Sequence, residues 1–377
     1  MRADAPRYAR RMMQMALQAA REAQRLAPPN PAVGCVLTDA AGNVLGIGHT
    51  QRTGGPHAEI MAMRDVQARG HALAGATAWV TLEPCSHHGR TGPCCDALIA
   101  AGIRKVVASV ADPNPRVAGQ GFERLRAAGV DVEVGSGAAE SRELNIGFFS
   151  RMLRGTPWVR MKAAASLDGK TALLNGTSQW ITGEAARTDG HAWRARASAV
   201  LTGVGTLMED DPRLDVRLVD TPRQPHLVIV DSRLQTPPDA RVFTIPRTVW
   251  IYAAVRDESR ASALEARGAT VIVRPNAHGK VDLAAMLSDL AAREVNELHV
   301  EAGHKLNGSL LREGLVDELL LYLAPMFIGE GLGIASQSHA GGPLAELAGA
   351  LPLDFRAIDR IGPDLRIVAR VAGRDAF

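Results

Sequence analysis

Gly54-Gly55-Pro56-His57-Ala58-Glu59, Glu83-Pro84-Cys85 and Gly92-Pro93-Cys94-Cys95 are the stretches on which the reading of this chain turns. Each lies where strand-like sequence passes into helix-like sequence. Zinc accepts imidazole nitrogen and thiolate sulfur in a tetrahedral shell, and a catalytic site keeps three protein ligands with the fourth position open. His57, Cys85 and Cys94 make such a set. Residues two apart on a regular helix point to nearly opposite sides, so His57 and Glu59 can face one metal only from a helix tip. Pro84 and Pro93 precede the two cysteines, and proline favours helix starts. Both thiolates are therefore expected beside helix N-termini, whose amides stabilise negative charge. A metal of this kind brings the pKa of its bound water to about 7. Glu59 then serves as proton carrier, a base toward water first and an acid toward a departing amine second. That division of labour, with a glutamate that is not a ligand, is the general account of zinc deaminases.

Eight residues separate Cys85 from Cys94, where two would be usual, and the insertion keeps other readings open. His87 or His88 can ligate instead, or the cluster can be a closed structural zinc site. Cys95 falls inside the expected helix and reads as buried. Cys35, in the apolar run Val33–Leu37, reads as core.

Outward from the cluster, residues 7–26 carry Met12, Met15, Ala16, Ala19 and Ala23 at helical spacing, and Pro28-Pro29 ends the segment. A strand pair is expected at Ala32–Leu37 and Val44–Gly48, then a helix at Ala58–Arg69. Ala76–Leu82, Ala97–Ala101, Lys105–Val110, Phe122–Ala128 and Val130–Val134 alternate strand and helix, with Gly102 and Gly129 as helix stops. A further helix near Ala138–Phe149 leads to Gly155 and Pro157, where a domain boundary is expected. Strands follow at Trp158–Ala165, Ala199–Thr202, His226–Val230, Thr248–Tyr252, Thr270–Val273 and Glu297–Val300. Leu319–Leu323, Phe355–Ile361 and Leu365–Val371 close the chain, the last two as an antiparallel hairpin. Both halves read as α/β, a sheet covered by helices.

At 377 residues the chain exceeds one ordinary core, and two domains are expected. Hydrophobic residues make up 46% and charged residues 22%, which excludes a disordered or fibrous class. The net charge of +3 is scattered rather than blocked, which speaks against a dedicated nucleic-acid surface. No run of eighteen apolar residues occurs, so no membrane span is expected, and four cysteines crowded into the first quarter do not make a disulfide framework. A reducing cytoplasm is the expected location.

Pro29-Asn30-Pro31-Ala32-Val33-Gly34, His57-Ala58-Glu59 and Glu83-Pro84-Cys85-Ser86-His87 through Pro93-Cys94-Cys95-Asp96 resemble the bifunctional riboflavin-biosynthesis deaminase/reductase family. So do Lys162 through Lys170, Ser178-Gln179-Trp180-Ile181-Thr182, Asp210-Asp211-Pro212-Arg213-Leu214 and Glu301-Ala302-Gly303 in the second half. The long segment between the cysteines is normal in that family. The resemblance implies a cytidine-deaminase-like α/β/α domain over residues 1–150, followed by a dihydrofolate-reductase-like α/β domain over 151–377. It implies one Zn2+ per chain on His57, Cys85 and Cys94, with Glu59 as catalytic acid/base. Asn30 would lie by the substrate ring, although it also reads as a helix-ending turn residue. In the second half it implies NADPH, touched by Ala164, Trp180, Thr206, Asp210, Ser232 and the loop Gly303, His304, Lys305, Leu306, Asn307, Gly308 and Ser309. Substrate would be touched by Ser178, Arg194, Leu214, Arg217 and Glu301.

Residue physics adds to this unevenly. Gly203-Val204-Gly205 alone does not make a Rossmann fingerprint, whereas the glycines after Glu297–Val300 can hold phosphate at a helix start. Arg194 and Arg217 suit a phosphate, each with two parallel donors. Trp180 can equally be core packing, and Lys162 and Asp168 take no assigned step. The implied reaction replaces the ring amino group of 2,5-diamino-6-(5-phosphoribosylamino)pyrimidin-4(3H)-one by hydrolysis, then reduces the ribosyl group to ribityl. The expected partner is this small phosphorylated pyrimidine, with neither nucleic acid nor membrane, in a homo-oligomer. Two competing readings are a nucleoside or tRNA deaminase with an appended domain, and a non-catalytic protein with a structural zinc cluster.

Overall fold

The computed structural model describes residues 5–87, 92–115, 117–336, 344 and 346–377. The chain divides into two compact units, Met1–Arg154 and Gly155–Phe377. A helix at Ile146–Arg154 carries through residues 150/151, so the division falls where that helix ends, at Gly155 in left-handed backbone (φ +69°).

The first unit begins α1 (Ala5–Ala23), β1 (Gly34–Thr38), β2 (Val44–His49), α2 (Ala58–Ala68) and β3 (Thr77–Val80). It continues α3 (Cys94–Ala100), β4 (Lys105–Ala108), α4 (Gln120–Ala127), β5 (Asp131–Val134), α5 (Ala138–Leu144) and α6 (Ile146–Arg154). The sheet order is β2-β1-β3-β4-β5, with β1 antiparallel to both neighbours and β3, β4 and β5 parallel. Met12, Met13, Ala16 and Leu17, on one face of α1, pack against Val36, Trp79 and Val107 of the sheet. Two glycines let helices lie directly on strand backbone. A Cβ on Gly34 would stand 1.9 Å from the Ala16 carbonyl oxygen, and one on Gly48 2.2 Å from the Ala62 amide nitrogen. The second contact fixes where α2 starts, and therefore where His57 stands.

The helix expected near Ala138–Phe149 is broken at Asn145. Its Oδ1 accepts the Ala32 N–H at 2.7 Å and its Nδ2 donates to the Ala32 carbonyl at 2.9 Å. Asn145 leaves helical backbone to do this (φ −113°, ψ 22°) and so ties the Asn30–Ala32 turn to the domain.

The second unit starts with β6 (Trp158–Ser166), β7 (Lys170–Ala172), α7 (Glu184–Arg196), β8 (Ala199–Gly203), α8 (Val204–Asp210) and β9 (His226–Val230). Then come β10 (Val249–Ala253), α9 (Glu258–Glu265), β11 (Ala269–Val273), α10 (Leu283–Ala292), β12 (Glu297–Val300) and α11 (His304–Arg312). It ends with β13 (Glu318–Ala324), β14 (Leu332–Gly333), β15 (Leu353–Ile361) and β16 (Asp364–Val371). The main sheet runs β11-β10-β9-β8-β12-β6-β13-β16-β15. Strands through β13 are parallel, and the closing hairpin β15–β16 is antiparallel, as its sequence predicts. Val249–Ala253 is buried along its whole length, the pattern of a strand covered on both faces. The loops leaving the carboxyl ends of β6, β8, β9 and β12 share one edge of the sheet, the usual place for a ligand in an open parallel sheet.

Candidate active sites

His57 is the N-cap of α2, in extended backbone (φ −76°, ψ 169°). That geometry lets it and Glu59, two residues on, reach the same point. Cys94 opens α3 behind its cap Pro93. Cys85 departs from expectation, because no helix begins there. Instead its Sγ accepts the Cys94 N–H at 3.3 Å and its carbonyl accepts the Cys95 N–H at 3.2 Å. A single helix N-terminus, that of α3, therefore serves both thiols.

Nδ1 of His57 lies 3.5 Å from Cys85 Sγ and 3.3 Å from Cys94 Sγ, and the three donor atoms fall within 4.8 Å of one another. Bonds of about 2.3 Å to sulfur and about 2.0 Å to nitrogen at tetrahedral angles place such ligands about 3.5 Å apart. The set fits zinc in both spacing and donor chemistry. Among the described residues no fourth His, Cys or carboxylate joins it. His87 is exposed and stands outside the group, and His88 lies outside the described residues. Cys35 and Cys95 are both fully buried, as expected.

A hydrogen bond with Cys94, then one with His57, pushes the Cys85 thiol down to about 4. The same pairing with Cys85, with burial added, pushes Cys94 up. The hydrogen bond with Cys85 also raises His57. Glu59 is 3% exposed, and burial followed by the charge of Cys85 raises its carboxyl to about 7. A group that must first take and then give a proton works best near that value.

Sequence reasoning quoted Glu83 only as part of a motif. The structure gives it a task of its own. Oε1 accepts the N–H groups of Gly121 (2.8 Å) and Phe122 (3.3 Å), and Oε2 those of Asp112 (3.0 Å) and Gly119 (2.9 Å). The carboxylate, two residues from a metal ligand, thus caps α4 and ties Asp112 and Gly119 to its start. A buried glutamate beside Pro-Cys was the available signal. Asn30 is half-buried in the turn after α1, its N–H on the Ala27 carbonyl at 2.9 Å.

In the second unit α8 and α11 start at glycine caps, Gly203 and Gly303, with no side chain capping either. They follow the paired parallel strands β8 and β12. A Cβ on Gly303 would stand 3.7 Å from Thr206 Oγ1, and the nearby Thr202 hydroxyl is buried without a protein partner. Open amides, small residues and hydroxyls at the ends of parallel strands fit the phosphates of a dinucleotide. The expected phosphate loop is shorter than its sequence suggests, since α11 already begins at His304. His304, Lys305 and Leu306 form its first turn. Asn307 is buried and donates to the Ile334 carbonyl at 3.0 Å, and a Cβ on Gly308 would meet the Ser336 oxygen at 2.1 Å. Ser309 accepts from Arg312 and donates to the Lys305 carbonyl. These last three residues also contact the helix and the 334–336 segment.

Ala164 sits on β6 opposite Tyr322 of β13, and Asp210 ends α8. Ser232, beyond β9, accepts the Val281 N–H at 3.2 Å. Ser178 is half-buried in the irregular stretch before α7. Trp180 is 65% exposed with the Arg187 guanidinium 4.6 Å over its ring, so it is not core packing. Asp168 anchors a loop, accepting from the Ser166 hydroxyl at 2.6 Å and the Ile328 and Gly329 amides at 3.1 and 2.8 Å.

Glu301 receives the Arg194 guanidinium through Nε and Nη2, and Lys162 Nζ lies 3.5 Å away. Burial opposes its ionisation, yet Arg194 and then Lys162 hold the carboxyl well below its ordinary range. Arg194 also donates Nη1 to the Asp215 carbonyl at 2.9 Å. Three of its five N–H groups are thereby engaged within the protein. Arg217, 42% exposed, and Arg213, 40% exposed, instead share the buried Asp215. Leu214 between them is buried in left-handed backbone (φ +49°), strain of about 1–3 kcal/mol that persists only where surroundings impose it.

Comparison with known proteins joins the two sites. Residues 6–110 match the family model for the cytidine and deoxycytidylate deaminase zinc-binding region, and residues 157–366 match that for the RibD C-terminal domain. The riboflavin biosynthesis protein RibD of Escherichia coli K12 is 42% identical over 366 residues, 94% of this chain and 96% of that protein. The chain belongs to the RibD family. RibD of Aquifex aeolicus is 38% identical over 94% of this chain and 96% of its own length. Among solved structures, a form of Acinetobacter baumannii RibD superposes with a TM-score of 0.88 at 35% identity, covering 97% of this chain and 99% of that one. The chain is accordingly a bifunctional riboflavin-biosynthesis enzyme, a deaminase and a reductase, with zinc and NADPH as cofactors. It acts on a small phosphorylated pyrimidine. Among the described residues no helix is long and apolar enough to cross a membrane.

Proposed function

We propose that the first unit, residues 1–154, deaminates 2,5-diamino-6-(5-phosphoribosylamino)pyrimidin-4(3H)-one, and that the second, 155–377, then reduces its ribosyl group to ribityl. The name of a Thermotoga maritima relative of known structure, diaminohydroxyphosphoribosylaminopyrimidine deaminase/5-amino-6-(5-phosphoribosylamino)uracil reductase, supports this at 29% identity and a TM-score of 0.83. His57, Cys85 and Cys94 hold the metal. Zinc, when bound, supplies the Lewis acidity that makes water a nucleophile near neutral pH. Glu59 takes a proton from the water whose oxygen bonds to the ring carbon and passes it to the ring nitrogen; it then takes the second proton from the new hydroxyl and gives it to the amine as the carbon–amine bond breaks, leaving a carbonyl and ammonia. The observation that carries the reading is a buried carboxyl, that of Glu59, beside three converging zinc donors. Asn30, held in place by the adjoining Ala32–Asn145 clamp, meets the ring.

In the second unit the amides opening α11, with Thr206, take phosphate of NADPH, which when bound supplies hydride to C1′ of the substrate. Ala164, Trp180, Asp210 and Ser232 border the same cofactor. Glu301, kept ionised, accepts from substrate hydroxyls, while Arg217 and its neighbour Arg213 meet the phosphate. Ser178 and the backbone of Leu214 complete that side. Replacing Glu59 with Gln tests the first unit. Zinc content is expected to stay near one per chain while ammonia release falls by about 10²–10⁴-fold. Retained ammonia release would remove Glu59 from the mechanism.

The enzyme works in the cytoplasm on the free pyrimidine, without nucleic acid, as a homo-oligomer. β15 supports the oligomer. It is an edge strand nine residues long whose Phe355 and Ile358 are 66% and 58% exposed, a surface that soluble chains normally cover. A sedimentation mass of a single 40.0 kDa chain would contradict this.

A further inference from the structure

Residues 211–217, between α8 and β9, have no regular secondary structure, yet every carbonyl from Arg213 to Val216 is held by a side chain from another segment. Arg247, just ahead of β10, donates Nη1 to the Leu214 carbonyl at 2.6 Å and Nη2 to the Arg213 carbonyl at 2.7 Å. Gln224, just ahead of β9, donates Nε2 to the Val216 carbonyl at 2.9 Å and accepts the Val216 N–H on Oε1 at 2.8 Å. His191 of α7 accepts the Arg217 N–H on Nδ1 at 3.2 Å, and Arg194 holds the Asp215 carbonyl. Burial, with Arg194 and Arg217 nearby, pushes His191 down to about 4, so its imidazole is neutral and able to accept. The clamps hold Leu214 in left-handed backbone (φ +49°), which a bulky side chain adopts only when surroundings impose it.

Asp215, 2% exposed, then takes Arg217 Nη1 on one oxygen at 2.6 Å and Arg213 Nη2 on the other at 2.9 Å. Two guanidiniums are thereby set at a fixed separation, each with much of its length in solvent. A mobile loop would lose conformational freedom on gripping a phosphate, whereas a loop clamped beforehand does not.

We propose that Arg247 and Gln224 are positioning residues of the reductase, which set its selectivity for phosphorylated substrate by clamping the Arg213–Arg217 loop. The inference rests on the reading that Arg217 meets the substrate phosphate. It concerns side chains that approach that loop from behind, out of the segments that lead into β9 and β10.

The test uses full-length, zinc-loaded protein in four forms: wild type, Arg217→Ala, Gln224→Met and Arg247→Met. NADPH oxidation is followed with the deaminated substrate and with the same compound after removal of its phosphate, and ammonia release by the same chain reports folding. Arg217→Ala is expected to lower the ratio of kcat/KM for phosphorylated over phosphate-free substrate by about 10–100-fold, the loss of a charge-assisted bidentate contact. Gln224→Met and Arg247→Met are expected to lower that ratio about tenfold through KM, with kcat and ammonia release at wild-type values. If Arg217→Ala loses the preference and both methionine variants keep it, the inference falls while the reading beneath it stands. If Arg217→Ala keeps the preference, the reading itself falls. Equal loss on both substrates would mark Arg247 and Gln224 as merely structural and overturn the inference. Should Arg247→Met lose ammonia release as well, Arg247→Lys and Gln224→Met decide the matter by the same ratio.

Discussion

The two sites treat charge in opposite ways. In the first unit the donor atoms of His57, Cys85 and Cys94 converge on one another, and the adjoining Glu59 is left in a buried setting that lifts its pKa to about 7. In the second, the charged groups are already matched within the protein, Glu301 to Arg194 and Lys162, Asp215 to Arg213 and Arg217. A site that must take up a dication is built from donors whose mutual crowding that ion relieves. A site that must take up a phosphorylated sugar is built from counter-charges already fixed in direction, so that the ligand meets an arranged surface.

The comparison can be broken at Glu83, where the largest effect of a residue placed against neither metal nor substrate is expected. Glu83→Gln puts an amide NH2 where one carboxylate oxygen accepts two of the four backbone N–H groups. Ammonia release should fall by about 10–100-fold with zinc retained, and NADPH oxidation of the deaminated substrate should not change. A parallel fall in both activities would show that the two sites are not supported separately.

A smaller effect concerns acid stability of the second unit. Arg160, 1% exposed, pairs with Glu297 at 2.7 Å and Glu318 at 2.5 Å, and Arg370 pairs with Glu318 at 2.9 Å. Burial opposes ionisation of Glu318, but Arg160 and Arg370 hold its carboxyl down at about 2. A folded pKa below the unfolded value of about 4.3 gives stability that is complete above that value and is lost as pH falls toward 2. Thermal unfolding should therefore drop between pH 5 and pH 3, more steeply in wild type than in Glu318→Gln. Parallel curves would remove this pair from the acid response.

What the sequence showed and concealed follows from the same contrast. The zinc group was legible because each member lies in a short motif whose local chemistry is decided by its neighbours. Its one local error was Cys85, where proline suggested a helix start and the structure instead borrows the N-terminus of α3. Strands were legible through their apolar runs and helices through their period. The break at Asn145 was not, because its cause is Ala32, 113 residues away. In the reductase, glycine and polar residues at 307–309 suggested a phosphate loop; what the sequence concealed is that Gly308 also packs on Ser336 and that Asn307 also donates to Ile334. The engagement of Arg194 by Glu301 spans 107 residues and leaves no mark on either local stretch.

The central claim is that one chain carries out a zinc-dependent hydrolysis and then a separate NADPH-dependent reduction. The most direct measurement follows ammonia and NADPH absorbance together on the diaminopyrimidine phosphate, with and without NADPH, before and after zinc is stripped by a chelator. Ammonia should appear whether or not NADPH is present, NADPH should be consumed only after ammonia appears, and stripping zinc should abolish both on this substrate while sparing reduction of the deaminated one. NADPH consumption ahead of ammonia, or ammonia release that survives zinc removal, would contradict the account.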